Sequence, residues 1–253
     1  MRQPGTIDCQ REGTRATVTL RRAGKMNAMT RAMWRDLRTV FLDLSAQDGL
    51  RCVLVQGEGA DFCAGGDISE YPGFRFDAQS LEEFHEREVW GALQAMCDCP
   101  VPVVAAIAGN CMGAGLEIAS CCDLRLGAQD SRYGAPIAKL GFPMAEREAA
   151  LVLAAVGRSP AAAMLLAAEV LDAAAMQRSG FLTWVHPPAQ LAVQAQALCA
   201  RVQTLSPLAG RRNKQSLRMP VALAPAPQAY AYADHPEHRE GVMAFLEKRP
   251  AAF

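Results

Sequence analysis

Apolar and polar residues alternate along Thr6–Gln10 and again along Thr14–Leu20, on either side of Glu12-Gly13. A period of two around a glycine turn predicts a β-hairpin. Beyond the basic, irregular segment Arg21–Asn27 the period lengthens. Met33, Leu37, Val40, Phe41 and Leu44 share one face of a helix predicted over Arg31–Leu44, with Thr30 placed to cap it and Asp48-Gly49 to end it. Cys52–Gln56, Val101–Ile107 and Leu124–Leu126 are short apolar runs that predict buried strands. Leu81–Met96 is helical in period, while Tyr71–Ala78, with Pro72 and Gly73, reads as a mobile loop and Arg132–Gly141 as irregular chain.

Helical patterns take over from there. They cover Ala145–Val156, Ala161–Ala168, Ala173–Gly180 behind a capping Asp172, Ala189–Leu205, Leu208–Leu217, Gln228–Ala233 and His238–Leu246. Phe181–Val185 is a short extended piece, and Pro220–Pro227 is a candidate linker. Strands interspersed with helices, then helices alone, predict an α/β core with a helical appendage.

Composition narrows the function classes. Hydrophobic residues at 51% and charged ones at 21% fit a large buried core. A formal net charge of +0 argues against nucleic acid or an anionic membrane as the main partner. The basic cluster Arg211-Arg212-Asn213-Lys214 reads as a solvated helix face. Nine cysteines, an odd number in mostly apolar surroundings, read as free thiols of a reducing compartment. None has zinc-site spacing, so no metal is expected. With no apolar leader and no long uncharged apolar run, a soluble cytoplasmic protein is expected.

Two glycine-rich turns follow predicted strands, at Ala64-Gly65-Gly66-Asp67 and at Gly113-Ala114-Gly115, and the second opens a helix carrying Glu117. Small residues allow close approach to the backbone, and a helix N-terminus favours negative charge. If the strands are neighbours, each turn can aim one N–H at a single oxygen, forming an oxyanion hole suited to a thioester enolate. Neither turn is a nucleotide-binding motif.

Several segments, in order, resemble the enoyl-CoA hydratase/isomerase (crotonase) superfamily. They are Arg22–Met29, Asp61–Ile68, Pro102–Asp123, Phe181–Val185 and Glu240–Pro250. The resemblance implies a crotonase-like spiral of ββα units over residues 1–190, carrying an acyl-CoA site. It also implies a C-terminal helical region over 191–253 that trimerises the chain and closes the pocket. An acyl-CoA thioester is the implied ligand, with coenzyme A as part of the substrate and no separate cofactor. A homotrimer or homohexamer (a dimer of trimers) is the implied assembly. The oxyanion donors fall on the N–H groups of Gly66 and Ala114, the latter standing where the family usually has glycine. CoA binding falls near Arg22, Lys25, Ala64 and Asp67, with Phe245 and Lys248 on the closing helix.

The carboxylates depart from the family pattern. Hydratases of this kind pair two glutamates across a water. Glu117 matches the first, but the second position is Ile137, which cannot transfer a proton. Glu146 and Glu148 are candidates to replace it, although first-turn acids also simply satisfy a helix N-terminus. The four histidines read as surface or packing residues, with only His85 near enough to a loop to approach a pocket. The expected activity is hydration or dehydration of an enoyl-CoA. The alternatives are isomerisation, hydrolysis or decarboxylation of an acyl-CoA, or binding without turnover.

Overall fold

The computed structural model describes residues 4–218 and 231–253. The linker expected over Pro220–Pro227 and the start of the helix expected at Gln228 lie outside them. The chain opens as the hairpin that alternation predicts, β1 (Thr6–Glu12) pairing antiparallel with β2 (Arg15–Arg21). Helix α1 (Arg31–Ser45) starts where Thr30 accepts a hydrogen bond from Met33 N–H, and it buries Met33, Trp34, Leu37, Phe41 and Leu44. Strand β3 (Cys52–Gly57) follows. The segment read as a mobile loop, Tyr71–Ala78, begins inside a 3-10 turn, Ile68–Gly73, capped by the Asp67 side chain on Ser69 N–H. Phe74, just beyond it, is buried, which ties the turn to the core. Helix α2 (Ala78–Glu83) runs through a π-helical turn, Phe84–Val89, into α3 (Trp90–Asp98).

Strand β4 (Val103–Ile107), a short β5 (Asn110–Met112) and helix α4 (Ala114–Ser120) come next. Then follow β6 (Leu124–Ala128), β7 (Arg132–Gly134), a 3-10 turn over Pro136–Leu140, α5 (Glu146–Val156) and α6 (Arg158–Leu166). The last part holds β8 (Val170–Asp172), α7 (Ala173–Arg178), β9 (Trp184–His186), α8 (Pro188–Gln203), α9 (Pro207–Arg218) and α10 (Pro236–Leu246).

A six-stranded sheet has the order β1-β2-β3-β4-β6-β9, parallel from β2 onward, and a three-stranded sheet has the order β5-β7-β8. Successive units therefore send one strand to the large sheet and the next, short one to the small sheet before a helix returns. β4, β5 and α4 form one such unit. The chain after β3 imitates it, because Cys63 bridges Cys111 in parallel. The middle of the large sheet is buried on both faces, so residues 52–55 of β3 and all of β4 are apolar. Val53, Val55, Val103, Ala105 and Ile107 point into the main core. Cys52, Leu54, Val104 and Ala106 point the other way, against Leu191, Ala195, Leu198 and Cys199 of α8.

One charge expectation is corrected here. Lys214 is buried, not solvated; its ammonium donates to Val101 O at 2.6 Å and pairs with Asp123 at 2.7 Å. All nine cysteines are free thiols. Among the described residues, no helix is long and apolar enough to cross a membrane.

Candidate active site

The two glycine turns meet because β3 and β4 are hydrogen-bonded neighbours, with Val53 opposite Val103. Cys63 N–H donates to Asn110 O and Met112 N–H donates to Cys63 O, which aligns the first turn along β5. Gly113 has φ of 46°, and a side chain there would touch Gly65 Cα. Glycine at this point supplies the left-handed backbone, while the contact itself would be an ordinary one. A methyl on Gly115 would fall 2.6 Å from Cys63 O, so only glycine lets the first turn of α4 press on the neighbouring loop. Asn27 fixes the same loop from outside, donating to Glu58 O and Asp61 O. Among the described residues, Gly66 N–H and Ala114 N–H meet no acceptor, and both residues line one cavity. Two unpaired donors at a shared cavity wall can bind one developing oxyanion.

That cavity has a volume of about 380 Å³ and is walled largely by apolar groups, among them Trp34, Val89, Met112, Ile137, Leu140 and Phe142. Glu117 and Glu148 enter it from α4 and α5, and both are buried. Burial first, then the charge of Glu148, push the Glu117 carboxyl well above the usual carboxylate range. Glu117 is therefore disposed to hold a proton, and Glu148 is the group close enough to sense it.

Glu148 is itself held by His85, whose Nδ1 lies 2.7 Å from Glu148 Oε1. A carboxylate only accepts, which places a proton on Nδ1. The guanidinium of Arg75 lies 3.5 Å from Nε2 of the same ring. His85 comes from the π-helical turn, whose widened register aims it into the cavity. Sequence reasoning reads His85 as a surface or packing residue that could approach a pocket, and the structure places it in the cavity wall. The available signal was an acid on a later helix, Glu148, but nothing in the spacing linked the two.

The other predicted site residues divide. Ala64 lines the cavity beside Gly66, while Ile137 occupies the wall where a second glutamate was sought. Glu146 is exposed, one turn-face away from Glu148, and lies outside the cavity lining. Arg22 and Asp67 are bound to each other at 2.5 Å, and Arg22 also donates to Ala28 O. Asp67 is held below the usual carboxylate range by its bonds to Arg22 and Ser69, which outweigh its burial. The pair pins the loop to the start of α1 and does not line the cavity. Lys25 is exposed on the surface. Phe245 at the exposed end of α10 and Lys248 just beyond it do not line the cavity of their own chain. Among the described residues, no group of three or more His, Cys, Asp or Glu is placed to hold a metal.

Comparison with known proteins gives this arrangement its relatives. The family model described as enoyl-CoA hydratase/isomerase matches residues 10–253. A Mycobacterium tuberculosis (strain CDC 1551 / Oshkosh) protein named "Probable enoyl-CoA hydratase echA6" is 32% identical, over 94% of each chain. The crystal structure of an enoyl-CoA hydratase/carnithine racemase from Magnetospirillum magneticum superposes with a TM-score of 0.93 at 33% identity. It covers 100% of this chain and 96% of its own. An enoyl-CoA hydratase from Mycobacterium smegmatis gives 0.85 at 26% identity, with 97% and 98% covered. The alternation of long and short strands described above is thus the crotonase fold, and the chain belongs to the enoyl-CoA hydratase/isomerase family.

Proposed function

We propose that this protein adds water across the double bond of an enoyl-CoA thioester, or removes it in reverse. The observation that carries this is the meeting of two buried carboxyl groups with two unpaired N–H donors in one apolar cavity. In the hydration direction the thioester oxygen sits on Gly66 N–H and Ala114 N–H. Glu148, oriented by His85, takes a proton from water as its oxygen bonds to C3. The π electrons move onto the thioester oxygen as an enolate. Glu117 then delivers its proton to C2, and proton exchange between the two carboxyl groups restores the starting state. A raised Glu117 proton affinity suits it to the acid role near neutral pH. The low-dielectric wall strengthens both N–H contacts to the enolate.

In this reading Glu148 supplies from α5 what Ile137 cannot, which supports turnover over binding alone. The assembly is a homotrimer or a dimer of trimers, supported by the apolar residues exposed on α9 and α10. Loss of the conjugated thioester absorbance measures turnover. Glu117→Gln and Glu148→Gln should each lower kcat by about 10²–10⁴-fold while the ester still binds. Full turnover in either variant sinks the two-carboxylate mechanism. Ester binding with no turnover on any enoyl-CoA by the native protein would establish the non-catalytic alternative.

A further inference from the structure

Among the described residues, Arg75 is a cation with no carboxylate partner. Among the described residues it forms no salt bridge, and its one side-chain hydrogen-bond neighbour is His85 Nε2 at 3.5 Å. It is half-buried, and burial lowers its proton affinity. Its guanidinium stacks on Phe142, 3.5 Å from the ring centroid, and lies 4.8 Å from that of Tyr71. Stacking by the face leaves the N–H edge of the fork open. The nearest acid, Glu148, is already engaged through Oε1 by the far side of the His85 ring.

The position of this cation gives it meaning. A second cavity, of about 520 Å³, opens beyond the first, and Tyr71, Arg75, His85, Leu140 and Phe142 line both. The second is walled by apolar groups such as Pro72, Phe76, Leu81 and Ala145. A thioester fixed at Gly66 and Ala114 has its acyl group in the first cavity, so a chain extending away from the hole meets Arg75 at the passage. An all-hydrocarbon chain would pass a half-buried guanidinium with nothing to offer it. A chain ending in an anion would complete it.

We propose that the acyl group of the substrate carries a carboxylate at its far end, and that Arg75 binds it through its planar fork. The proposal rests on the enoyl-CoA reading of the same cavity for the placement of the thioester. It makes Arg75 a specificity-determining residue: bidentate N–H···O⁻ pairing at a half-buried site discriminates sharply against a methyl terminus.

The test uses saturated esters, so that recognition is read without turnover. Adipoyl-CoA and hexanoyl-CoA, equal in chain length, are titrated calorimetrically into the native protein, into Arg75→Met and into Arg75→Lys. The native protein should bind adipoyl-CoA at least about tenfold more tightly than hexanoyl-CoA. In Arg75→Met the ratio should fall to about one. Arg75→Lys keeps the charge but not the fork, so the ratio should fall yet stay above one. Equal affinities in the native protein overturn the proposal whatever the variants do. So does an Arg75→Met protein that keeps the preference. If the variant weakens both esters in proportion, Arg75 holds a phosphate of CoA and the proposal also fails. A native preference for adipoyl-CoA that Arg75→Met abolishes, in a protein that hydrates no enoyl-CoA, would instead sink the proposed reaction and leave this recognition standing.

Discussion

Glu117 is paid for by the fold. Its carboxyl is buried on α4, and burial together with Glu148 raises its proton affinity. The native state therefore binds this proton more tightly than the unfolded chain does. Between the ordinary glutamate pKa and the raised one, the native state carries more protons, so stability falls as pH rises through that window. Below the ordinary value the penalty is absent, and above the raised value it is complete. Glu117→Gln removes the titration. The variant should match the native protein in Tm near pH 4, then become progressively more stable than it as pH rises. The gain is about 1.4 kcal/mol for each tenfold rise in proton affinity that burial imposes. Thermal melts of both proteins across pH 4–9 check this, and a Tm difference that does not vary with pH counts against a proton-holding Glu117. At this scale the sequence showed Glu117 as a lone acid in an apolar helix, because one residue against its own neighbours is local information. It marked His85 only as able to approach a pocket and did not show its link to Glu148. His85 matters only because a π turn and a helix more than sixty residues later bring it 2.7 Å from Glu148.

The elements carrying the donors are packed to a tolerance that a single methyl tests. A Cβ on Gly66 would lie 2.6 Å from the Tyr71 hydroxyl oxygen, whereas the next ring atom, Cζ, is 3.5 Å away. Gly66 does not adopt a left-handed φ, so the obstacle is the hydroxyl and not the backbone. Gly66→Ala should therefore displace the 3-10 turn that carries Tyr71, with a loss of about 1–3 kcal/mol in stability. Adding Tyr71→Phe should recover most of that loss, because ordinary van der Waals contact replaces the overlap. A double-mutant cycle by urea denaturation measures the coupling. Additive losses would mean that the turn and the loop are not in contact as described. Strands β1 to β4 and helix α1 were legible because each spans enough residues for a period to declare itself. β5, β7 and β8 are three residues each, too short to show one, and they exist because their neighbours in the small sheet supply partners. The oxyanion geometry followed from neighbouring strands, which the apolar runs allowed but only the pairing of β3 with β4 provides.

The whole molecule presents more apolar surface at its C-terminal end than one chain has use for. Leu217 on α9 is 87% exposed, and Phe245 and Leu246 on α10 are 82% and 67% exposed. Helix α8 is different: it is spent on the sheet, where it closes the second core. The open faces of α9 and α10 are what the proposed assembly would cover with another copy. Phe245 and Lys248 bear on the same point, since they do not line the cavity of their own chain, and the closing role that the resemblance gives them would in the proposed assembly act on a neighbour's. Burying a phenylalanine at a subunit contact stabilises by about 1.5–3 kcal/mol per copy. Phe245→Glu would replace that with a charge in an apolar contact. Light scattering on a sizing column should give the native protein a mass of three or six times the 27.2 kDa chain. The variant should shift toward the single-chain mass on dilution, with a raised KM for enoyl-CoA if α10 closes a neighbouring cavity. A native protein that elutes at the mass of one chain would mean that these helices leave their apolar faces to solvent, and the subunit-contact account of α10 would fall with it.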